Sequence, residues 1–350
     1  MRVSEFDFDL PPELIAQAPA SPRDSARLLH VPANHGLADL SIRDFPSLLN
    51  PGDLLVVNNT KVIPTRLTGR KRRHDGGGAT IEATLHKAAG PGSWRAFARP
   101  AKKLKPGDTL DFDEHFSAVV AEKHDGGEIV LEFNSSGPAL MDAIHRIGIM
   151  PLPPYIKRHR EGRVTDVDDY QTLFALREGA VAAPTASLHF TPRLVSAIEA
   201  AGVGTAHLTL HVGAGTFLPV KSEDTGDHIM HSEWGELSRS SADLINRTRQ
   251  SGGRIVAAGT TALRLLESAA QEDGTVHPFS GETDIFITPG YRFRVADVLL
   301  SNFHLPKSTL FMLVSAFAGL GRMQEAYAHA MDAGYRFYSY GDATLLERAG

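Results

Sequence analysis

Residues 51–66, PGDLLVVNNTKVIPTR, decide the architecture. The segment opens on a turn, passes through a short apolar run at Leu54–Asn58 that reads as a buried strand, and ends in a polar loop. Beyond it the texture changes. From about residue 65 to 154 the chain is a series of short alternating runs: ATIEATLHKA, SWRAFAR, GDTLDF, SAVVAEKH and EIVLEF. The turn signals DGGG, GPGS, KPGD and DGGE separate them. Strands this short, at this spacing, indicate a small barrel or sandwich. The helix GPALMDAIHRIG follows, and MPLPPYIKRHREGR, rich in proline and basic residues, reads as an exit linker. We therefore expect an α/β domain made of residues 1–64 and 155–350, with residues 65–154 inserted as an all-β barrel.

The second half alternates strand and helix patterns. DYQTLFAL begins a helix-like stretch, and TPRLVSAIEAAGV is a helix with Thr191 as N-cap and Pro192 at its first position. AHLTLHV is a strand, SADLINRTRQSGG a helix, RIVAAG a buried strand and TTALRLLESAAQ the helix after it. TDIFIT is another strand, VLLSNFHLP runs from strand to loop, and STLFMLVSAFAG is a strongly apolar helix. This order predicts a largely parallel or mixed sheet with flanking helices. The expected fold class is thus a mixed-sheet α/β main domain carrying a small inserted barrel.

At 350 residues the chain has room for two or three domains and a sizeable core. It contains no cysteine, which excludes disulfides, zinc-thiolate sites, iron–sulfur clusters and a thiol nucleophile. The acidic start MRVSEFDFDLPPELIAQ does not read as a signal peptide, and no apolar run is long enough to span a bilayer as a helix. A cytoplasmic monomer is expected. The net charge of −5 hides an asymmetry. From Pro64 to Arg163 there are 17 Lys+Arg against 12 Asp+Glu, while the remainder carries 19 against 29. The basic residues clump in RLTGRKRR (66–73), ARPAKKLK (98–105) and KRHREGR (157–163). One clump alone is an ordinary solvated face. Three in or beside one segment favour an anionic polymer, with Arg70, Lys71, Arg72, Arg73, Lys102, Lys103, Arg158 and Arg160 as the contacts.

HLTLHVGAGTFLPV (207–220) fits neither phosphate-loop template, because no lysine follows Gly215 and no third glycine appears where a dinucleotide fingerprint requires it. In a strand, His207, Thr209 and His211 share one face. With His228, His231 or Glu233 they offer imidazole and carboxylate ligands, so a metal-dependent hydrolase on His207, His211 and His231 stands as the alternative function. Otherwise the stretch is a polar-faced strand entering a Gly-x-Gly turn, where Gly213 and Gly215 admit close approach to a ligand and Phe217 offers an aromatic face. Two further strand ends have this character. RIVAAGTTALRLLE places Thr260 and Thr261 at a helix start, where free N–H groups suit a hydroxyl-rich or anionic ligand. SNFHLPKSTL gathers Asn302, His304 and Lys307 ahead of a buried helix. Ser187, His189 and Thr191 alternate in APTASLHFT.

FDFDLPPELIAQ, GDLLVVNNTKVIPTRL, PTASLHFT, LHVGAGTFLPVK, HSEW, RIVAAGTTALRLLE, TDIFITPGYRF, LLSNFHLPKSTLFMLVSAFAG and GYRFYSYGDA run almost from end to end of the chain. In these blocks, and in their order, the sequence resembles the S-adenosylmethionine:tRNA ribosyltransferase-isomerases of queuosine biosynthesis. The resemblance implies an α/β domain with an inserted β-barrel. It implies a transferase that uses S-adenosylmethionine as ribosyl donor, without a permanently bound cofactor. The acceptor it implies is 7-aminomethyl-7-deazaguanine at the wobble position of tRNAs with GUN-type anticodons. The product is epoxyqueuosine-tRNA, with release of adenine and methionine. Such chemistry asks for a base to remove a proton beside the sulfonium and an acid to assist adenine departure. His211, Glu233 and His304 are the candidates. Substituting His211 or Glu233 is expected to abolish turnover with little change in folding. Asn58, His189, Gly213, Gly215, Phe217, Thr260, Thr261, Asn302 and Lys307 are the candidates for binding the donor, Lys307 through a carboxylate or phosphate.

Overall fold

The structure, a computed structural model, describes residues 1–72, 78–157, 165–213, 220 and 222–349. In chain order the first elements are β1 (Arg27–Val31), β2 (Ala38–Ser41), β3 (Leu54–Asn58) and β4 (Thr60–Val62). Six strands then follow: β5 (Arg66–Lys71), β6 (Thr80–Gly90), β7 (Ser93–Arg99), β8 (Thr109–Asp111), β9 (Ser117–Lys123) and β10 (Glu128–Phe133). After α1 (Gly137–Ile147) come α2 (Asp166–Asp169), β11 (Arg177–Ala180), α3 (Pro192–Ala200), β12 (Gly204–Leu210), β13 (Glu233–Leu237) and α4 (Arg239–Gln250). The chain closes with β14 (Ile255–Ala258), α5 (Thr260–Ser268), β15 (Phe279–Thr283), β16 (Val298–Asn302), α6 (Thr309–Ala318), α7 (Leu320–Asp332) and β17 (Ala343–Glu347).

Among the described residues the main sheet has the order β15-β13-β12-β3-β14-β16-β17-β1-β2. Within it β3 lies parallel to β12 on one side and β14 on the other, with β16 parallel to β14. Every residue of β3 is buried because the strand alternates between two cores. Leu54 and Val56 face a cluster that includes residues of α4 to α7, whereas Leu55 and Val57 face a cluster with Leu194 and Ile198 of α3. A parallel strand covered on both faces is continuously apolar for this reason. The connection out of β3 returns at β12, and the one out of β14 returns at β16 on the opposite side. The carboxyl ends of β3 and β14 therefore flank a crevice where open α/β sheets bind ligands.

Strands β5 to β10 close into a barrel in the order β10-β7-β6-β5-β8-β9. Leu67, Ile81, Ala83, Leu85, Ala96, Leu110, Val120, Ile129 and Leu131 fill it, and Leu140 and Ile144 of α1 cover one opening. The expected mixed-sheet α/β architecture with a small barrel is what the chain forms. No described helix is long and apolar enough to cross a membrane.

Three local expectations differ. RLTGRK, read as a basic clump, is barrel strand β5, with Leu67 and Gly69 inward and Thr68 and Arg70 outward. DYQTLFAL does not continue as a helix beyond the single turn of α2. The Gln171 side chain bonds both N–H and carbonyl of Val62, and the N–H groups of Leu176 and Arg177 both reach the Asn59 carbonyl. These tertiary bonds replace helical ones. The strand expected at TDIFIT lies earlier, at Phe279–Thr283, where it pairs antiparallel with β13.

Candidate functional site

Asn58 ends β3 fully buried. Its Oδ1 accepts from the N–H of Leu210 at 3.0 Å and of Thr60 at 3.1 Å, and its Nδ2 donates to the Leu210 carbonyl at 2.9 Å and to Thr261 Oγ1 at 3.2 Å. One amide thus ties the carboxyl ends of β3 and β12 to the first turn of α5. Asn58 frames the crevice and does not line it.

Beside that clamp, β14 turns into α5 through Gly259, whose φ of 97° is a glycine conformation. Among the described residues no side chain caps α5, so its first-turn N–H groups are available to a ligand. Ser308 caps α6 by accepting from the Phe311 N–H at 3.1 Å. Both helix starts border a cavity of about 690 Å³. Thr260, Thr261, Ser301, Asn302, His304 and Ser308 supply its polar lining, and Tyr155, Tyr170 and Tyr338 its aromatic one. Tyr338 has φ 75°, a left-handed conformation that a tyrosine rarely adopts. Its ring meets that of Tyr155 edge-on at 3.9 Å, and the Tyr155 hydroxyl bonds Ser339 Oγ. The cavity has the mixed polar and aromatic wall of a small-molecule site.

His304 lines this cavity with its Nε2 2.9 Å from Ser301 Oγ and its backbone N–H donating to the Tyr327 hydroxyl at 2.9 Å. Burial pushes its imidazole pKa down to about 3, so it is neutral at working pH and its ring can both donate and accept a hydrogen bond. His189 is also buried, and its pKa falls to about 4, mainly through desolvation, with Asp342 opposing. It does not line the main cavity. It borders a smaller cleft with Leu188, Tyr340 and Gly341. Both folded-state values lie below the ordinary 6.5, so the unfolded chain binds the protons that the folded chain refuses. Stability is therefore full above pH 6.5 and falls as the pH drops towards 4. Each histidine contributes at most about 1.4 kcal/mol per pH unit. Denaturant unfolding at pH 7 and pH 5 should show this loss, and His304→Asn should flatten the slope. An unchanged slope would mean that His304 titrates normally.

A second and wider cavity, about 2300 Å³, lies between the barrel and the edge of the main sheet. His86, Lys87, Arg95, Phe97 and Glu128 line it from the barrel, and Gly213, His228, His231, Glu233 and Thr309 from the main domain. The two cavities are neighbours in the chain itself. Val212 lines the first and Gly213 the second, and Ser308 and Thr309 divide in the same way. Glu233 sits at this partition. Its Oε1 accepts from the Gly213 N–H at 2.9 Å, and its Oε2 is bonded by Arg264, with both side chains only 4% exposed. Replacing Glu233 would take away this partner of a buried guanidinium, so a cost in folding is expected alongside any loss of turnover.

The other candidates fall elsewhere. His211 lines neither cavity. Its ring stacks on Trp234 at 5.3 Å, bonds Thr60 Oγ1 through Nδ1 at 2.7 Å, and packs against Gly179, where a Cβ would lie 2.7 Å from the ring. Burial, then Arg177, lower its pKa. Lys307 is paired with Asp7 at 2.6 Å and is half exposed. Among the described residues no three His, Asp or Glu side chains form a group able to hold a metal ion, so His207, His211 and His231 do not assemble as the hydrolase alternative needs. On the barrel, Lys71 pairs with Asp108 at 2.6 Å, and Arg72 with Asp111 through Nε at 3.0 Å, while Arg70, Lys102 and Lys103 are exposed. Gly215, Phe217, Arg73, Arg158 and Arg160 lie outside the described residues.

Sequence reasoning missed Tyr155, Tyr170, Tyr338 and Arg264. Tyr338 belongs to GYRFYSYGDA, whose tyrosine density beside a glycine is the available signal. Arg264 sits within an apolar helix, where a lone arginine signals a buried partner.

A mixed sheet that opens one cavity at its parallel carboxyl edge and shares a second with a closed barrel defines a two-cavity α/β enzyme. The family model described as "Queuosine biosynthesis protein" matches residues 3–346. A Parvibaculum lavamentivorans protein named S-adenosylmethionine:tRNA ribosyltransferase-isomerase is 63% identical, covering 99% of each chain. One of the same name from Rhodospirillum rubrum is 60% identical, over 100% of this chain and 99% of its own. The crystal structure of S-adenosylmethionine tRNA ribosyltransferase from Thermotoga maritima is 36% identical and superposes with a TM-score of 0.56, covering 98% of this chain and 99% of that one. The chain belongs to this queuosine biosynthesis family.

Proposed function

We propose that this chain transfers and isomerises the ribosyl moiety of S-adenosylmethionine onto 7-aminomethyl-7-deazaguanine at the tRNA wobble position, releasing adenine and methionine as epoxyqueuosine-tRNA forms. The observation that carries this reading is the pair of cavities separated by the Val212–Gly213 and Ser308–Thr309 partition, set within a chain that matches its relatives end to end. The first cavity takes the donor. Its open helix starts suit a carboxylate, its threonine and serine hydroxyls suit a ribose, and its tyrosines suit adenine. The groove beside the barrel takes the acceptor nucleotide drawn out of the anticodon loop. Glu233 at the partition and His304 in the donor cavity are the proton-transfer groups, with His304 neutral in the resting enzyme. His211 supports the wall.

Residues 65–154 act as the tRNA-contacting module. Of the basic residues on it, Arg70, Lys102 and Lys103 hold their charge outward, while Lys71 and Arg72 are largely neutralised by aspartates. The enzyme works as a cytoplasmic monomer without a resident cofactor and reads tRNAs with GUN-type anticodons. Incubating such a tRNA, bearing the deazaguanine base, with S-adenosylmethionine should raise the tRNA mass by the added ring and release adenine in equal amount. A mass gain without adenine, or no gain, sinks the reading. Replacing Arg70, Lys102 and Lys103 by glutamine should weaken tRNA binding and lower the salt slope by about 0.7–0.9 for each phosphate that is no longer neutralised. A slope that does not move removes these residues from the RNA surface.

A further inference from the structure

Asn302 ends β16 at 2% exposure and lines the first cavity. Its amide orientation is forced. Nδ2 donates to the Tyr338 carbonyl at 3.0 Å and reaches the Ser339 carbonyl at 3.5 Å. Turning the amide over would set its oxygen against those two carbonyl oxygens. Oδ1 is shielded from solvent and has no hydrogen-bond partner among the described residues. A buried acceptor left unmet is unfavourable, and structures keep such groups where something else meets them. The same Tyr338 whose carbonyl fixes the amide also lines this cavity, with Tyr155 packed edge-on against its ring. The residue carrying this fixed acceptor lines the same cavity as Tyr155, Tyr170 and Tyr338.

We propose that Asn302 selects the base of the ribosyl donor by accepting a hydrogen bond from the 6-amino group of adenine. This rests on the donor reading of the enclosed cavity. An amide that can only accept admits a 6-aminopurine and rejects a 6-oxopurine, whose oxygen would oppose Oδ1. Accepting from the amino group also pushes electron density into the ring, making its nitrogens more basic and easing the protonation that adenine departure requires.

The test is calorimetric binding of three unreactive thioethers: S-adenosylhomocysteine, its 6-oxo counterpart, and the purine lacking any 6-substituent. Wild-type protein should bind the 6-amino compound at least about tenfold more tightly than the 6-oxo compound, with the unsubstituted purine between them. In Asn302→Leu the three affinities should converge. The comparison among ligands on wild-type protein stands even where that variant folds poorly. Equal wild-type affinities overturn the assignment to Asn302, as does a folded Asn302→Leu that keeps the preference, and both leave the donor cavity in place. If no thioether binds to wild-type protein, the donor reading fails and this inference with it.

Discussion

Replacing Glu233 by glutamine should lower both stability and turnover, and a second substitution should separate the two losses. Glu233 and Arg264 form a nearly dry ion pair, reinforced by the Gly213 N–H on one carboxylate oxygen. Removing the charge of one partner leaves the other buried and unpaired, which costs about 3–5 kcal/mol. A proton-transfer group of this kind contributes about 10²- to 10⁴-fold to rate. The double variant Glu233→Leu with Arg264→Met replaces both charges by apolar side chains of similar size. Such exchanges are often neutral or stabilising. The double variant should therefore regain most of the folding free energy in denaturant unfolding while its turnover stays down by at least about a hundredfold. Recovery of both would make Glu233 a structural residue at the partition and nothing more.

His304→Gln is expected to have the second largest effect. Glutamine can still bond Ser301, which lies 2.9 Å from the imidazole Nε2 in the wild-type chain, but it cannot take up a proton. The turnover number should fall by about 10²- to 10⁴-fold. Donor affinity should change little, because the walls of the cavity remain. The pH profile of the wild-type enzyme supplies an independent check. With its imidazole pushed down to about 3, His304 stays in the basic form through the whole neutral range. No histidine limb from this residue should appear in the turnover profile above pH 5. A limb near pH 6.5 that disappears in His304→Gln would show that the imidazole titrates near its ordinary value and is not held neutral by burial.

Much of the architecture was legible because it depends on neighbours in the chain. The alternation from ATIEATLHKA to EIVLEF carries the barrel, and the apolar run Leu54–Val57 carries the buried strand β3 of the sheet. The Thr191 cap also follows from local spacing, and its hydroxyl accepts from the Leu194 N–H as a cap does. Where local pattern and tertiary bonding compete, the pattern misleads. RLTGRK has the composition of a charged surface loop, yet its alternate residues Leu67 and Gly69 close the barrel. DYQTLFAL has helical spacing, yet Gln171 binds Val62, 109 positions away.

The candidate site divides along the same line. Residue types and strand ends identify Thr260, Thr261, Asn302 and His304 as a polar concentration at turns, and the structure brings all four to one cavity. His211, Lys307 and Asn58 have the same local character, but one stacks on Trp234, one pairs with Asp7, and one is used up tying two strands together. What the sequence by itself determined is the set of elements, their hydrophobic faces and the turns where backbone groups are left open, all governed by contacts a few residues apart. Only the tertiary structure decided that Arg264 meets Glu233, that the Tyr338 and Ser339 carbonyls hold Asn302, and that His211 stands outside both cavities. These pairings join residues far apart in the chain, and their strength depends on a burial that exists only once the sheet, helices and barrel have packed together.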